Sequence, residues 1–259
     1  MATMEVSFFS HCIQRNVVFN AIMPLGNHMH SDKTKDFKTL YLLHGLGGNH
    51  HDWMNYSKIA YWARSRNLAV IMPASENKAY IDNPHTKEAY GEFIGKELVE
   101  FTRSLFPLSN KREDTFIGGQ SMGGYGAVRN GLKYHETFSA IFSFAGVLAV
   151  EFLPHATEDH PRPTRRRSFF EGVFGDLSAV AGSDRDIKVL TKNILDKGAA
   201  FPKIYMACGT EDEFLPQNRL YHKFFSETGV PHEYIEDTGG HEWVFWDKYL
   251  EEVLNWLEI

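Results

Sequence analysis

The stretch Thr115-Phe-Ile-Gly-Gly-Gln-Ser-Met-Gly-Gly-Tyr-Gly126 constrains this chain more than any other. It begins as a β-branched and aromatic run, passes through Gly119-x-Ser121-x-Gly123, and leaves as a helical pattern. A serine at the centre of such a turn is thrust out of a strained strand-to-helix corner. The positions two before and two after it must lack a Cβ so that strand and helix can pass closely. That corner requires a strand followed directly by a helix, and the rest of the chain repeats the same alternation. Strand-like runs occur at Thr39–Leu43, Leu68–Pro73, Thr115–Gly118, Ala140–Ala145, Lys203–Cys208 and His232–Glu236, each bounded by Gly, Pro, Asn or Asp. Helical patterns fill the gaps at Asp52–Ser65, Lys87–Phe106, Met122–His135, Gln217–Thr228 and Glu242–Leu257. With an N-terminal antiparallel hairpin, Glu5–Cys12 and Asn16–Met23, the pattern predicts an α/β fold, a mostly parallel sheet of about eight strands with helices on both faces.

One connection breaks the rhythm. About 55 residues separate Ala145 from Lys203, longer than an ordinary βα connection. They hold PHATEDHPRPTRRR, then SFFEGVFGDLS, then a helical pattern near Asp184–Lys192. This is too little for a further domain, so the expectation is one domain over 1–259 with a small cap or lid inserted at about 148–200. Arg165-Arg166-Arg167 reads as a solvated loop.

Composition removes whole classes of function. The 27 basic side chains against 33 acidic ones give a net charge of −6, without the basic excess that nucleic-acid binding draws on. Two cysteines, Cys12 and Cys208, lie far apart and outside any metal spacing, so neither a disulfide framework nor a zinc site is expected. No window approaches a membrane span, and MATMEVSFFSHCIQRN lacks the build of a signal peptide. The expectation is a cytoplasmic chain without a membrane partner. His28-x-His30 and His50-His51-Asp52 have no closing carboxylate cluster, and no metal or other cofactor is expected.

The remaining chemistry clusters where strands end. Tyr41-Leu-Leu-His-Gly-Leu-Gly-Gly-Asn49 puts a His-Gly-x-Gly-Gly loop directly after a strand, where backbone N–H groups can face the serine. Leu46 and Met122 are the candidate oxyanion donors, with His44 shaping the loop. Asp212 follows the strand ending in Cys208, with Glu211 and Glu213 as rivals. His241 lies in a glycine loop before the last helix. Serine, acid and histidine fall in that chain order, separated by 91 and 29 residues. Those types in that order suit nucleophilic catalysis: Ser121 attacks, His241 carries the proton, and Asp212 fixes the imidazole tautomer. His222, inside a helix, and His232, on a strand, are poorer bases. His50, Trp53 and Trp243 flank these loops and are candidate substrate-binding residues. Tyr125 and Gly126 read as helix packing, and Cys208 as a small buried hydrophobe.

YLLHGLGGNHHDW, TFIGGQSMGGYGA, GVFGD, CGTEDEFL and GGHEWVFW resemble the motifs of the esterase D-like α/β-hydrolases, in particular their bacterial tributyrin esterase branch. The resemblance runs along essentially the whole chain. It implies an α/β-hydrolase fold and a serine carboxylesterase acting on short-chain acyl esters, without metal or organic cofactor. It places the same residues, Ser121, Asp212, His241, Leu46 and Met122, at the matched positions. The superfamily also resembles S-formylglutathione hydrolases, feruloyl and acetyl-xylan esterases and mycolyltransferases, so a thioesterase of the formylglutathione type is the first alternative. An acyltransferase or a non-catalytic binding protein on the same fold is another. The aromatic content allows a homo-oligomer.

Overall fold

The computed structural model describes residues 1–25 and 36–259. His28 and His30 lie outside them. Eight strands form one sheet in the order β1-β2-β4-β3-β5-β6-β7-β8. The strands are β1 (Ala2–Ser10), β2 (Arg15–Met23), β3 (Lys38–Leu43), β4 (Leu68–Pro73), β5 (Thr115–Gln120), β6 (Ala140–Phe144), β7 (Lys203–Gly209) and β8 (His232–Asp237). β1 pairs antiparallel with β2, and β2 antiparallel with β4; every later pairing is parallel. The expected hairpin therefore forms one edge and β8 the other.

Period-2 alternation in the central strands builds a core on each face. From β3, Tyr41 and Leu43 enter one cluster and Leu40 and Leu42 the other. The first cluster is covered by α4 (Leu98–Leu105), α5 (Met122–Lys133), α7 (Ile187–Asp196) and α8 (Leu215–Glu227). The second is covered by α1 (Asp52–Tyr56), α2 (Ile59–Ser65) and α9 (Trp243–Trp256). Helices thus lie on both faces, as the alternation required. Among the described residues no helix is long and apolar enough to cross a membrane.

Three helices differ from the sequence reading, each for a local reason. The predicted Asp52–Ser65 helix is two, because Ser57 is extended and its hydroxyl serves both ends: it donates to Trp53 O at 2.5 Å and accepts from Ile59 N–H at 3.2 Å. The predicted helix from Lys87 begins only at α3 (Tyr90–Glu92), since Lys87 has φ 64°, and it runs through a π-type turn, Phe93–Glu97, before α4. The helix predicted near Asp184 starts at Ile187, where Asp186 accepts from Lys188 N–H at 2.9 Å as N-cap.

Between β6 and β7 the chain forms short 3-10 segments at Val150–His155, Pro163–Arg165 and Leu177–Ala179, with α6 (Arg167–Phe174) and α7 among them. This segment is tied to α5. Arg129, fully buried, bonds the Asp184 backbone oxygen at 3.0 Å and its carboxylate at 2.6 Å, and Tyr125 donates its hydroxyl to Arg185 O at 2.8 Å. Arg165, Arg166 and Arg167 are not a merely solvated run. They meet Glu213, the His160 backbone oxygen and Glu171 respectively.

Candidate active site

Ser121 follows β5 and caps the start of α5 with φ 55° and ψ −120°, a conformation that side-chain-bearing residues adopt at a cost on the order of 1–3 kcal/mol. The corner closes because its glycines leave no room for anything larger. A Cβ on Gly119 would lie 2.6 Å from the Gly123 backbone, and one on Gly123 would lie 2.4 Å from Leu43 O and 2.6 Å from His44 O. α5 therefore starts directly against the end of β3, which brings Met122 and Leu46 together around Ser121.

The acid and the histidine are held by two loops zipped to each other after β7 and β8. Thr210 N–H donates to Asp237 O at 2.8 Å and Glu211 N–H to Gly239 O at 3.0 Å, while the Glu211 carboxylate accepts from Gly239 N–H. Glu211 is thus a loop tie. Asp212 points inward with a fully buried side chain; one oxygen accepts from Phe214 N–H at 2.8 Å and the other lies 2.8 Å from His241 Nδ1. His241 Nε2 lies 2.8 Å from Ser121 Oγ. Since a carboxylate only accepts, the proton of His241 sits on Nδ1, and Nε2 offers its lone pair to the serine hydroxyl. Phe214 and Trp246 both pack edge-on against the imidazole, with ring centroids 5.0 Å away. Neither was singled out from sequence, although both lie within a few residues of the loops.

The loop after β3 is fixed from beneath. His44, 1% exposed, has Nδ1 2.8 Å from Gly45 O and accepts from Ser75 N–H through Nε2 at 3.1 Å, which fixes a neutral tautomer. Tyr80 donates to His44 O at 2.9 Å, and Gly47 N–H donates to the Asn77 side chain at 2.7 Å. Burial holds the His44 imidazole below its ordinary pKa, and burial lowers His135 and His222 as well. The unfolded chain would take up protons at these positions as pH falls through about 6.5, while the folded chain resists. Stability is therefore full above that value and lost on acidification. The urea midpoint is expected to drop between pH 7.5 and 5.5, mostly through the buried His44. His44→Gln should show a shallower drop.

Ser121, His241, Leu46 and Met122 line one cavity of about 540 Å³. Its apolar wall includes Val147, Val150, Phe169, Phe170 and Phe174, mostly from the β6–β7 segment, with Tyr125 from α5. Tyr125, read from sequence as helix packing, is thus also a wall residue, whereas Gly126 packs on the Tyr80 ring as expected. His50, Trp53 and Trp243 do not line the cavity. Trp53 is buried beneath β3 and donates its indole N–H to Leu43 O at 2.9 Å, because the first turn of α1 carries it back under the sheet. Trp243 packs edge-on against it at 5.0 Å. His50 turns to the β1 edge, where Glu5 Oε2 lies 3.1 Å from His50 Nε2 and 3.2 Å from His51 Nε2.

Those three side chains have metal-ligand types within reach of one another. The Asn20 amide nitrogen, however, bonds both His50 O at 3.0 Å and His51 Nδ1 at 2.8 Å. That puts the His51 proton on Nε2, so the face turned toward Glu5 is an N–H rather than a lone pair. Cys208 is fully buried, and burial pushes its thiol up, in keeping with a packing role.

A hydroxyl bonded to an imidazole whose tautomer a buried carboxylate fixes, opening on one cavity that Leu46 and Met122 also line, has the parts for acyl transfer. Comparison with known proteins agrees with that chemistry. An acetyl esterase of Caldicellulosiruptor saccharolyticus is 40% identical over 99% of this chain and 98% of its own length. A substrate-bound fluorophosphonate-binding serine hydrolase of Staphylococcus aureus superposes with a TM-score of 0.88 at 28% identity, covering 99% of this chain and 98% of that one. An S-formylglutathione hydrolase from the same organism does so with a TM-score of 0.86, also at 28% identity and with the same coverage. The fold is that of the α/β-hydrolases. With residues 10–257 matching the model described as putative esterase, the chain belongs to that family and is a carboxylic ester hydrolase.

Proposed function

We propose that the chain hydrolyses short-chain acyl esters through an acyl-enzyme on Ser121. The observation that carries the reading is the continuous hydrogen-bonded line from Ser121 Oγ through His241 to Asp212, opening on the cavity. In this reading Ser121 Oγ attacks the ester carbonyl as His241 Nε2 takes its proton. The negative charge that forms on the carbonyl oxygen is met by the N–H groups of Leu46 and Met122, which stand ready without reorganising. Collapse returns the proton from His241 to the departing alcohol. Water then follows the same path in reverse to release the acid. Asp212 stays ionised and stabilises the imidazolium in both halves.

The 40% identity to an acetyl esterase supports a small acyl group, and the β6–β7 segment, as a cap, would set the limit on its length. A series of p-nitrophenyl esters from acetate to laurate tests this. kcat/KM is expected to be highest among the shortest esters and to fall at least tenfold by the long chains. Highest activity on laurate would overturn the short-chain reading. The second reading, a thioesterase acting on S-formylglutathione, is favoured by the Staphylococcus aureus structure of that description, and formylglutathione belongs in the same series. A cytoplasmic location, with both cysteines free, belongs to the same proposal.

A further inference from the structure

The cavity has a second character on the side of His241. Arg162 and Arg165 both line it, and both hold a single carboxylate, that of Glu213, at 3.2 and 2.6 Å. The two guanidinium groups contact the same oxygen of that carboxylate, Oε1. Among the described residues of the wall Glu213 is the one carboxylate, and Glu158 and Asp159 do not line it. Glu158 is engaged instead by the backbone and hydroxyl of Ser168. Two guanidinium groups carry ten N–H donors, so one carboxylate leaves both charge and donors to spare. A chain of net charge −6 thus presents a locally positive wall here. His155 and His160 extend the polar side.

The position of this wall decides which part of a substrate it meets. Arg165 lies over the Phe214 ring at 5.3 Å, and the same ring meets His241 at 5.0 Å. Arg165 therefore stands one aromatic ring away from the imidazole that, in the proposed mechanism, hands a proton to the leaving alcohol, and Arg162 joins it through Glu213. The apolar wall contributed by α6 is left for the acyl group.

We infer that Arg162 and Arg165 form a carboxylate subsite for the alcohol half of the substrate, so that the preferred esters are those whose leaving group carries a carboxylate. The inference rests on the esterase reading above and names its substrate class. A guanidinium fork matches a carboxylate in two parallel hydrogen bonds, and the incoming anion shares the pair with Glu213 or replaces it.

The test compares 4-acetoxybenzoate with its methyl ester, which differ in that one charge, on wild type, Arg162→Gln/Arg165→Gln and Glu213→Gln. The readout is the ratio of kcat/KM for the anionic ester over the neutral one, which cancels any general loss of activity. The double arginine variant is expected to lower the ratio about tenfold through KM, and Glu213→Gln to raise it about threefold. Raising salt from 0.05 to 0.5 M should lower the wild-type ratio. A ratio unmoved in both variants, with both esters falling together, overturns the subsite. If the double variant does not fold, Glu213→Gln and the salt dependence decide by the same criteria.

Calorimetry separates this claim from the esterase reading. The Ser121→Ala protein should bind 4-acetoxybenzoate about tenfold more tightly than the methyl ester, and equal binding overturns the subsite. Wild type inert on both esters, yet with that binding preference intact, would remove the esterase reading and keep the subsite.

Discussion

Ser121→Ala is expected to lose on the order of 10⁶-fold in kcat on p-nitrophenyl acetate, with a melting temperature within about 2 °C of wild type. The hydroxyl is the group proposed to form the covalent bond, and what survives is the modest assistance of binding and of the oxyanion donors proposed at Leu46 and Met122. Stability hardly changes, because the alanine keeps the same backbone at φ 55° and gives up one hydrogen bond to His241. Ser121→Gly should be equally inactive but more stable, by about 1 kcal/mol, since glycine adopts that backbone without strain. An active Ser121→Ala would sink the proposed mechanism. A Ser121→Gly no more stable than Ser121→Ala would mean that the corner stores no strain.

Gly123→Ala is the second large effect, and it acts through the backbone. A single methyl group there would sit 2.4 Å from Leu43 O and 2.6 Å from His44 O, and neither is a side chain that can swing away. Either α5 moves off β3 or the loop carrying Leu46 shifts. A displacement near 1 Å costs on the order of 10²-fold in rate, and overpacking of this kind costs about 3 kcal/mol. We expect both losses, read as kcat on p-nitrophenyl acetate and as a urea midpoint. Gly172→Ala on α6 is the control: a Cβ there meets nothing within 4 Å, and the helix should gain about 0.5–1 kcal/mol. If Gly123→Ala behaves like Gly172→Ala, close approach at the corner is not what fixes the site.

The strands were legible because each is a short β-branched or aromatic run cut off by Gly, Pro, Asn or Asp, and their order of use followed from alternation with helices. Ser121, Asp212 and His241 were legible because the turn, the acid and the histidine each follow a strand, and the structure brings those three side chains together. What failed was inference from neighbourhood along the chain. Trp53 lies only a few residues past the loop of Leu46, yet one helical turn sends it beneath the sheet, and His50 goes to Glu5 on the hairpin edge. The cavity wall was not readable either. It comes from 3-10 turns, which carry no hydrophobic period that says which side chains face inward, and from α6, whose apolar stripe of Phe169, Phe170, Val173 and Phe174 does not by itself say that it faces a cavity and not a packed core.

Leu46, Ser121, Asp212 and His241 follow β3, β5, β7 and β8, so their assembly is an event of long-range closure. No contiguous part of the chain short of the last strand contains the whole set. During synthesis the serine corner emerges well over a hundred residues before the histidine it needs. On the proposed mechanism, a chain lacking β8 and the loop of His241 is expected to be chemically silent, with turnover beginning only when β8 has docked. Regain of activity on refolding thus reports completion of the sheet, where a helical signal would report only its parts.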